Sequence, residues 1–219
     1  LAAEMELDYE TDTDHTITVS VTDATVTVEV EVTITVLDVA EAHPEDKAAF
    51  VTTWQTDVAN ETIYIGLNNE YNYDFTINWG DGTVEQLTLE TPDYIEHVYV
   101  EAGQHPVAII GEFPAIKVGA IDPDQLDPAP KQGFGLVGIE QWGNIQWQTM
   151  YRAFQKASSL EFYNATDVPD LSKVTTMRRM FDLASAFNGD LSSWDTSSVT
   201  DMFAMFQGCL LYTSDAADE

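Results

Sequence analysis

The chain has 219 residues, 44% hydrophobic and 11% aromatic, with 38 Asp+Glu against 8 Lys+Arg for a formal net charge of −30 at pH 7. This is the composition of a globular chain rather than a disordered one. Its charge repels nucleic-acid phosphates and anionic lipid heads alike. No apolar run approaches the roughly 18 residues of a membrane span, so neither nucleic-acid binding nor membrane insertion is expected of these residues.

The opening LAAEMELDYE has neither the basic start nor the apolar stretch of a signal peptide, which places the natural N-terminus elsewhere. The single Cys209 excludes an intrachain disulfide. From Ile17 to Val36 the apolar residues fall at Ile17, Val19 and Val21, then at Val26, Val28, Val30, Val32, Ile34 and Val36. Strict period two predicts two strands with one buried face, joined by a turn at Thr22, Asp23 and Ala24. Two strands cannot bury a face alone, so the hairpin reads as the remainder of a larger sheet.

LDYE (7–10), the VTD ending at Asp23 and VLDVAEA (36–42) resemble the closing third of a cadherin-like β-sandwich, taken here as residues 1–43. No cofactor is required by the residues; the one the resemblance would add is calcium, with Asp8, Glu10 and Asp38 as carboxylate ligands and Glu41 as a substitute. Calcium is a hard cation that takes six to eight oxygens. Ala40 and Ala42 stand where that family's terminal motif has Asn.

Between residues 50 and 118 seven short apolar runs alternate with turn signals: AAFVTTW, ETIYIGL, YDFTINW, TVEQLTL, EHVYV, HPVAIIG and AIKV. That density predicts a small immunoglobulin-like β-sandwich. Gly80, Asp81 and Gly82 predict a tight reversal after Trp79. His97 and His105 fall on separate predicted strands, and Asp81 reads as a turn former rather than a catalyst. WGDG (79–82), HVY (97–99) and AGQHPVAI (102–109) resemble the motifs of a PKD (polycystic kidney disease) domain, assigned to residues 44–119; that family supplies extracellular spacers and adhesion modules.

Residues 120–137, with Pro123, Pro128 and Pro130, read as a linker. Self-similarity follows. Met150, Met177 and Met202 lie 27 and 25 residues apart, each with a Phe four residues on at Phe154, Phe181 and Phe206. A period of about 25 residues is a solenoid signal. Met, Met or Ala, and Phe at i, i+3 and i+4 predict one face of a short helix in each unit, with Asp201 at a helix start. Neighbouring units must stack to bury those faces. No His stands near the Ser-rich turns to activate a serine nucleophile, and carboxylates this abundant identify no catalytic pair.

IEQWGNIQWQTM, ASAFNGDLSSW and DLSSWDTSSVTDMFAMFQG resemble BspA-type leucine-rich-repeat surface proteins of bacteria, which often carry a PKD-like segment before the repeats. The repeats are assigned to 138–208. The fold class expected is therefore mainly β and multidomain, with a truncated hairpin, a PKD-like sandwich and a leucine-rich-type solenoid of short helices and strands. Residues 209–219 (CLLYTSDAADE) break the repeat and read as the in-frame translation of a sequencing-library adapter, not native sequence. Without a further unit, Met202, Met205 and Phe206 are expected to be partly exposed.

The resemblance implies a non-catalytic, secreted or cell-surface bacterial protein, located extracellularly, that adheres to an extracellular protein or a cell-surface ligand. The alternative is a carbohydrate-binding accessory of a secreted hydrolase, in which exposed Trp54, Trp142 or Trp194 would stack on the sugar rings of a glycan.

Overall fold

The computed structural model describes residues 14–22, 27–35, 42–119 and 135–209. The chain forms two compact units, Leu1–Ala40 and Glu41–Glu219. Within the described residues of the first, β1 (Asp14–Thr22) pairs antiparallel with β2 (Thr27–Thr35). The register sets Ile17 opposite Val32, Val19 opposite Val30 and Val21 opposite Val28, the pairing that period-two alternation demands.

The second unit is mainly β, with no helix among its described residues. Its strands are β3 (Phe50–Thr56), β4 (Glu61–Gly66), β5 (Tyr73–Asn78), β6 (Val84–Leu89), β7 (Tyr94–Tyr99), β8 (Gly103–Glu112), β9 (Leu136–Gln141) and β10 (Phe162–Tyr163). Six form one sheet in the order β10-β9-β3-β8-β5-β6, and β4 pairs with β7 in a second. Alternation drives the packing. Tyr73, Phe75 and Ile77 on β5 are buried and share one apolar cluster with Ile63 and Ile65 on β4 and Ile95 and Tyr99 on β7. The opposite face of the large sheet is covered too, where Ala49, Val51 and Ala108 form a second cluster.

Six of the seven runs expected between 50 and 118 are strands. AIKV is not: Lys117 N donates to Gly66 O (2.8 Å) and Val118 N to Ala153 O (2.9 Å), so this segment bridges two neighbours without joining a ladder. Residues 136–137, expected in the linker, begin β9. That strand runs antiparallel to β3 and carries β10 in parallel on its other side. The repeats therefore continue the sheet, and the apolar cluster runs without a break from Phe50 through Trp142 and Phe154 to Phe187.

The predicted helices are replaced by stacked turns. Met150, Arg152, Phe154 and Lys156 donate their N–H groups to Thr176, Arg178, Met180 and Asp182 O of the next coil, at 2.8–3.2 Å. Met177, Arg179, Phe181 and Leu183 donate likewise to Asp201, Phe203, Met205 and Gln207 O. The intervening Ala153, Gln155 and Ala157 bond back three residues along the chain, as do Met180, Asp182 and Ala184. This alternation needs left-handed backbone at equivalent places: Arg152, Arg179 and Ala204 (φ 57°, 57° and 56°), then Lys156, Leu183 and Gly208 (φ 61°, 63° and 73°).

A single isolated helical turn has a costly nucleus. Here the neighbouring coil offers carbonyls in register, and those bonds offset the roughly 1–2 kcal/mol of each left-handed non-glycine residue. The side-chain register survives the change of backbone. Phe154, Phe181 and Phe206 stack with centroids 5.5 and 5.7 Å apart. Met205 is buried, whereas Met202 is exposed and Phe206 half-buried.

Gly143 marks the seam between sheet and coils. At φ 60°, a Cβ there would fall 2.3 Å from the carbonyl oxygens of Ala48 and Ala49. Gly143→Ala is expected to destabilise the second unit by on the order of 2–3 kcal/mol, read as a lowered urea midpoint.

Candidate interaction surface

The residues expected to hold calcium, Asp8, Glu10, Asp38 and Glu41, lie outside the described residues. The tryptophans are within them, and the expectation of exposed indoles is corrected. Trp54 is 1% exposed, Trp142 0% and Trp194 8%. Each is needed in the core. Trp54 Nε1 donates to Thr52 Oγ1 (3.0 Å). Trp142 stacks on Phe50 (5.5 Å) and meets Trp194 edge-on (5.2 Å). The indole N–H groups of Trp142 and Trp194 both donate to the Tyr163 hydroxyl, at 3.0 and 3.1 Å. Burial raises the Tyr163 pKa, while those two bonds pull it the other way. Tyr163→Phe removes the shared acceptor and strands two indole N–H groups; a loss of about 1–3 kcal/mol per group is expected in chemical denaturation.

The WGDG turn is likewise structural. Trp79 N bonds Thr83 O (3.0 Å), with Gly80 and Gly82 at φ 83° and 93°. Asp81 Oδ1 accepts Thr83 N (3.0 Å), and its Oδ2 meets His97 Nε2 at 2.8 Å. The His97 ring stacks on Trp79 at 4.7 Å. Tyr99 donates to Trp79 O (2.6 Å) and stacks on His105 at 3.6 Å, and His105 Nε2 lies 2.9 Å from Thr56 Oγ1. The two histidines are thus tied to a turn and a strand. No cluster of three or more His, Cys, Asp or Glu suited to a metal occurs among the described residues.

These groups set a pH dependence. Burial would raise the Asp81 carboxyl, but hydrogen bonds from His97 and Thr83 outweigh it and hold the pKa below its ordinary 3.8. Burial pushes His105 below its ordinary 6.5, with the Asp81 charge opposing. In both cases the unfolded chain binds more protons across the window between the two pKa values, so stability rises with pH there. The His105 contribution is complete above about pH 6.5 and lost as pH falls below it; that of Asp81 holds above about pH 4 and is lost in stronger acid. His105→Gln should flatten the melting temperature against pH near 6, and Asp81→Asn should flatten it only below pH 4, both read by thermal melts.

The repeat register that stacks the Phe side chains inward also aligns an outer column. Thr149, Thr176 and Asp201 occupy equivalent places, and each side-chain oxygen accepts the N–H two residues on, from Tyr151 (3.1 Å), Arg178 (3.2 Å) and Phe203 (2.9 Å). Asp201 thus shapes a turn rather than capping a helix. Lys117 precedes this column, since its neighbour Val118 bonds Ala153. The order Lys117, Tyr151, Arg178, Phe203 alternates cation and aromatic. Lys117 Nζ lies 5.7 Å from the Tyr151 ring centroid and Arg178 Cζ 4.3 Å from that of Phe203. Arg152 Cζ sits 5.0 Å from the Tyr151 ring as well. Tyr151 and Arg178 are half-buried, and Phe203 is 57% exposed beside exposed Met202. Sequence reading missed this column, although the alignment that matches Met150, Met177 and Met202 sets its members one residue later.

Residues 134–218 match a family described as Mycoplasma protein of unknown function, DUF285. That span takes in β9, β10 and the stacked coils. No curated protein and no solved structure matches the chain. The DUF285-matching segment holds Arg152, Lys156, Lys173, Arg178 and Arg179, five of the eight basic residues of a chain at −30. An open depression on the same segment, lined by Gly143, Asn144, Gln146, Val168, Pro169 and Asp170, lies beside the Gly143 turn. Its Asp170 carboxyl is held below the usual carboxylate range by hydrogen bonds from Ser172.

Proposed function

We propose that this chain is a non-catalytic interaction module of a secreted or cell-surface bacterial protein, serving adhesion or protein–protein contact. In this reading residues 44–119 are a PKD-like sandwich, the coils of 138–208 a BspA-type, leucine-rich-type solenoid, and residues 1–43 a cadherin-like remainder carrying the calcium carboxylates. The observation that carries the reading is the outer column. Stacked coils bring Tyr151, Arg178 and Phe203 into line on one surface, and side chains repeated at coil spacing suit an extended partner. The DUF285 match coincides with that surface.

The carbohydrate-binding alternative has lost its best platforms, because Trp54, Trp142 and Trp194 spend both faces in the core. Two assays test the choice. Beads coated with the chain are expected to attach saturably to surfaces bearing purified extracellular proteins, and a glycan array is expected to stay blank. Glycan binding without protein attachment would overturn the reading, as would turnover of any member of a broad hydrolase-substrate panel.

A further inference from the structure

The chain has 38 Asp and Glu side chains, yet among the described residues two arginines have no carboxylate partner. Among the described residues, the Arg152 and Arg178 guanidinium groups make no ion pair and no hydrogen bond; each has only an aromatic ring beside it. Arg152 Nε is enclosed with no hydrogen-bond partner, so the terminal nitrogens are the group's remaining outlet. Their neighbour Arg179 behaves differently and pairs with buried Asp182 at 3.4 Å. Lys117, at the head of the column, donates to Asn68 Oδ1 (2.9 Å) and feels Glu70 and Asp93 from a distance. Desolvation lowers its pKa, and its ammonium is already engaged by Asn68.

We infer that the column of Tyr151, Arg178 and Phe203, with Arg152 beside the Tyr151 ring, binds an acidic, partly apolar polypeptide segment in extended form. This rests on the interaction-module reading above and names the partner's chemistry. Arg152 and Arg178 lie on adjacent coils, joined by the bond from Arg152 N to Arg178 O (3.1 Å). Alternate side chains of an extended strand recur about every 6.7 Å, so one segment can present successive carboxylates to neighbouring coils. The planar donor fork of arginine suits carboxylate oxygens. Exposed Phe203 offers an apolar ring beside Arg178, which a peptide side chain would cover and a sulfated polysaccharide would leave wet. The strongly acidic remainder of the chain disfavours an acidic segment, so the attraction is strongest in residues 134–218, where five of the eight basic residues lie.

The test uses the full chain and an N-acetylated, C-amidated octapeptide of six Glu, one Phe and one Leu, with its all-Gln counterpart as control. Calorimetry is expected to show saturable binding of the acidic peptide and none of the Gln peptide. Affinity should fall about tenfold in Arg178→Gln and in Arg152→Gln, and should be nearly abolished in about 1 M NaCl, where the screening length is about 3 Å. Arg178→Lys keeps the charge and should retain part of the affinity, and thermal melts of all variants check that the fold is intact. Equal binding of both peptides, unchanged affinity in the Gln variants, or binding only of a sulfated oligosaccharide would overturn the inference. So would self-association of the chain that the peptide fails to compete. Attachment to protein surfaces that persists in Arg152→Gln/Arg178→Gln would sink this assignment while leaving the adhesion reading in place.

Discussion

The architecture of residues 135–209 depends on where alternate backbone N–H groups go. Met150, Arg152, Phe154 and Lys156 send theirs to the following coil, as do Met177, Arg179, Phe181 and Leu183. An unpaired buried N–H costs about as much as a lost hydrogen bond, so each coil is correct only beside its neighbour. The left-handed residues at Arg152, Lys156, Arg179, Leu183 and Ala204 follow from that demand rather than from local preference. Stability is accordingly shared between coils.

The same dependence extends to the sheet through β9. Because β9 pairs with β3 and carries β10, the first coil rests on a strand that itself belongs to the sheet, and one apolar cluster serves both regions. This is why the tryptophans are inside. Trp142 and Trp194 fill the junction of sheet and coils, where Tyr163 answers both indole N–H groups. With those rings committed to packing, the aromatic rings left at the surface include those of the outer column. There alternating cations and rings are held by short turns at Thr149, Thr176 and Asp201.

Acidity gives that column its contrast. A net charge of −30 is carried mostly outside the coils, whereas five of the eight basic residues lie in the segment matching DUF285. A guanidinium over an aromatic face is stabilised there by the ring quadrupole and keeps its donors available. Arg179, by contrast, is consumed by Asp182. Two consecutive arginines therefore have different partners, a carboxylate for Arg179 and an aromatic ring for Arg178.

Much of the strand content was legible in the residues. Alternation at Tyr73, Phe75 and Ile77 reports which face is buried, because side chains on a strand alternate sides, and alternation from Ile17 to Ile34 anticipated the pairing of β1 with β2. The WGDG reversal was legible because positive φ restricts residue choice. The 27- and 25-residue spacing of Met150, Met177 and Met202 determined that equivalent side chains would stack, whatever the backbone between them did. The helix expectation failed because Met, Met and Phe at i, i+3 and i+4 share a face in a helix and also in a run of i→i−3 turns with left-handed breaks. Only neighbouring carbonyls choose between them. The sequence by itself thus determined strand alternation, the glycine turn and the repeat register, which are local or periodic properties. Tertiary structure alone decided that β9 fuses coils to sheet, that Trp142 and Trp194 are core, and that Arg152 and Arg178 have no carboxylate partner among the described residues, because each depends on partners far away along the chain.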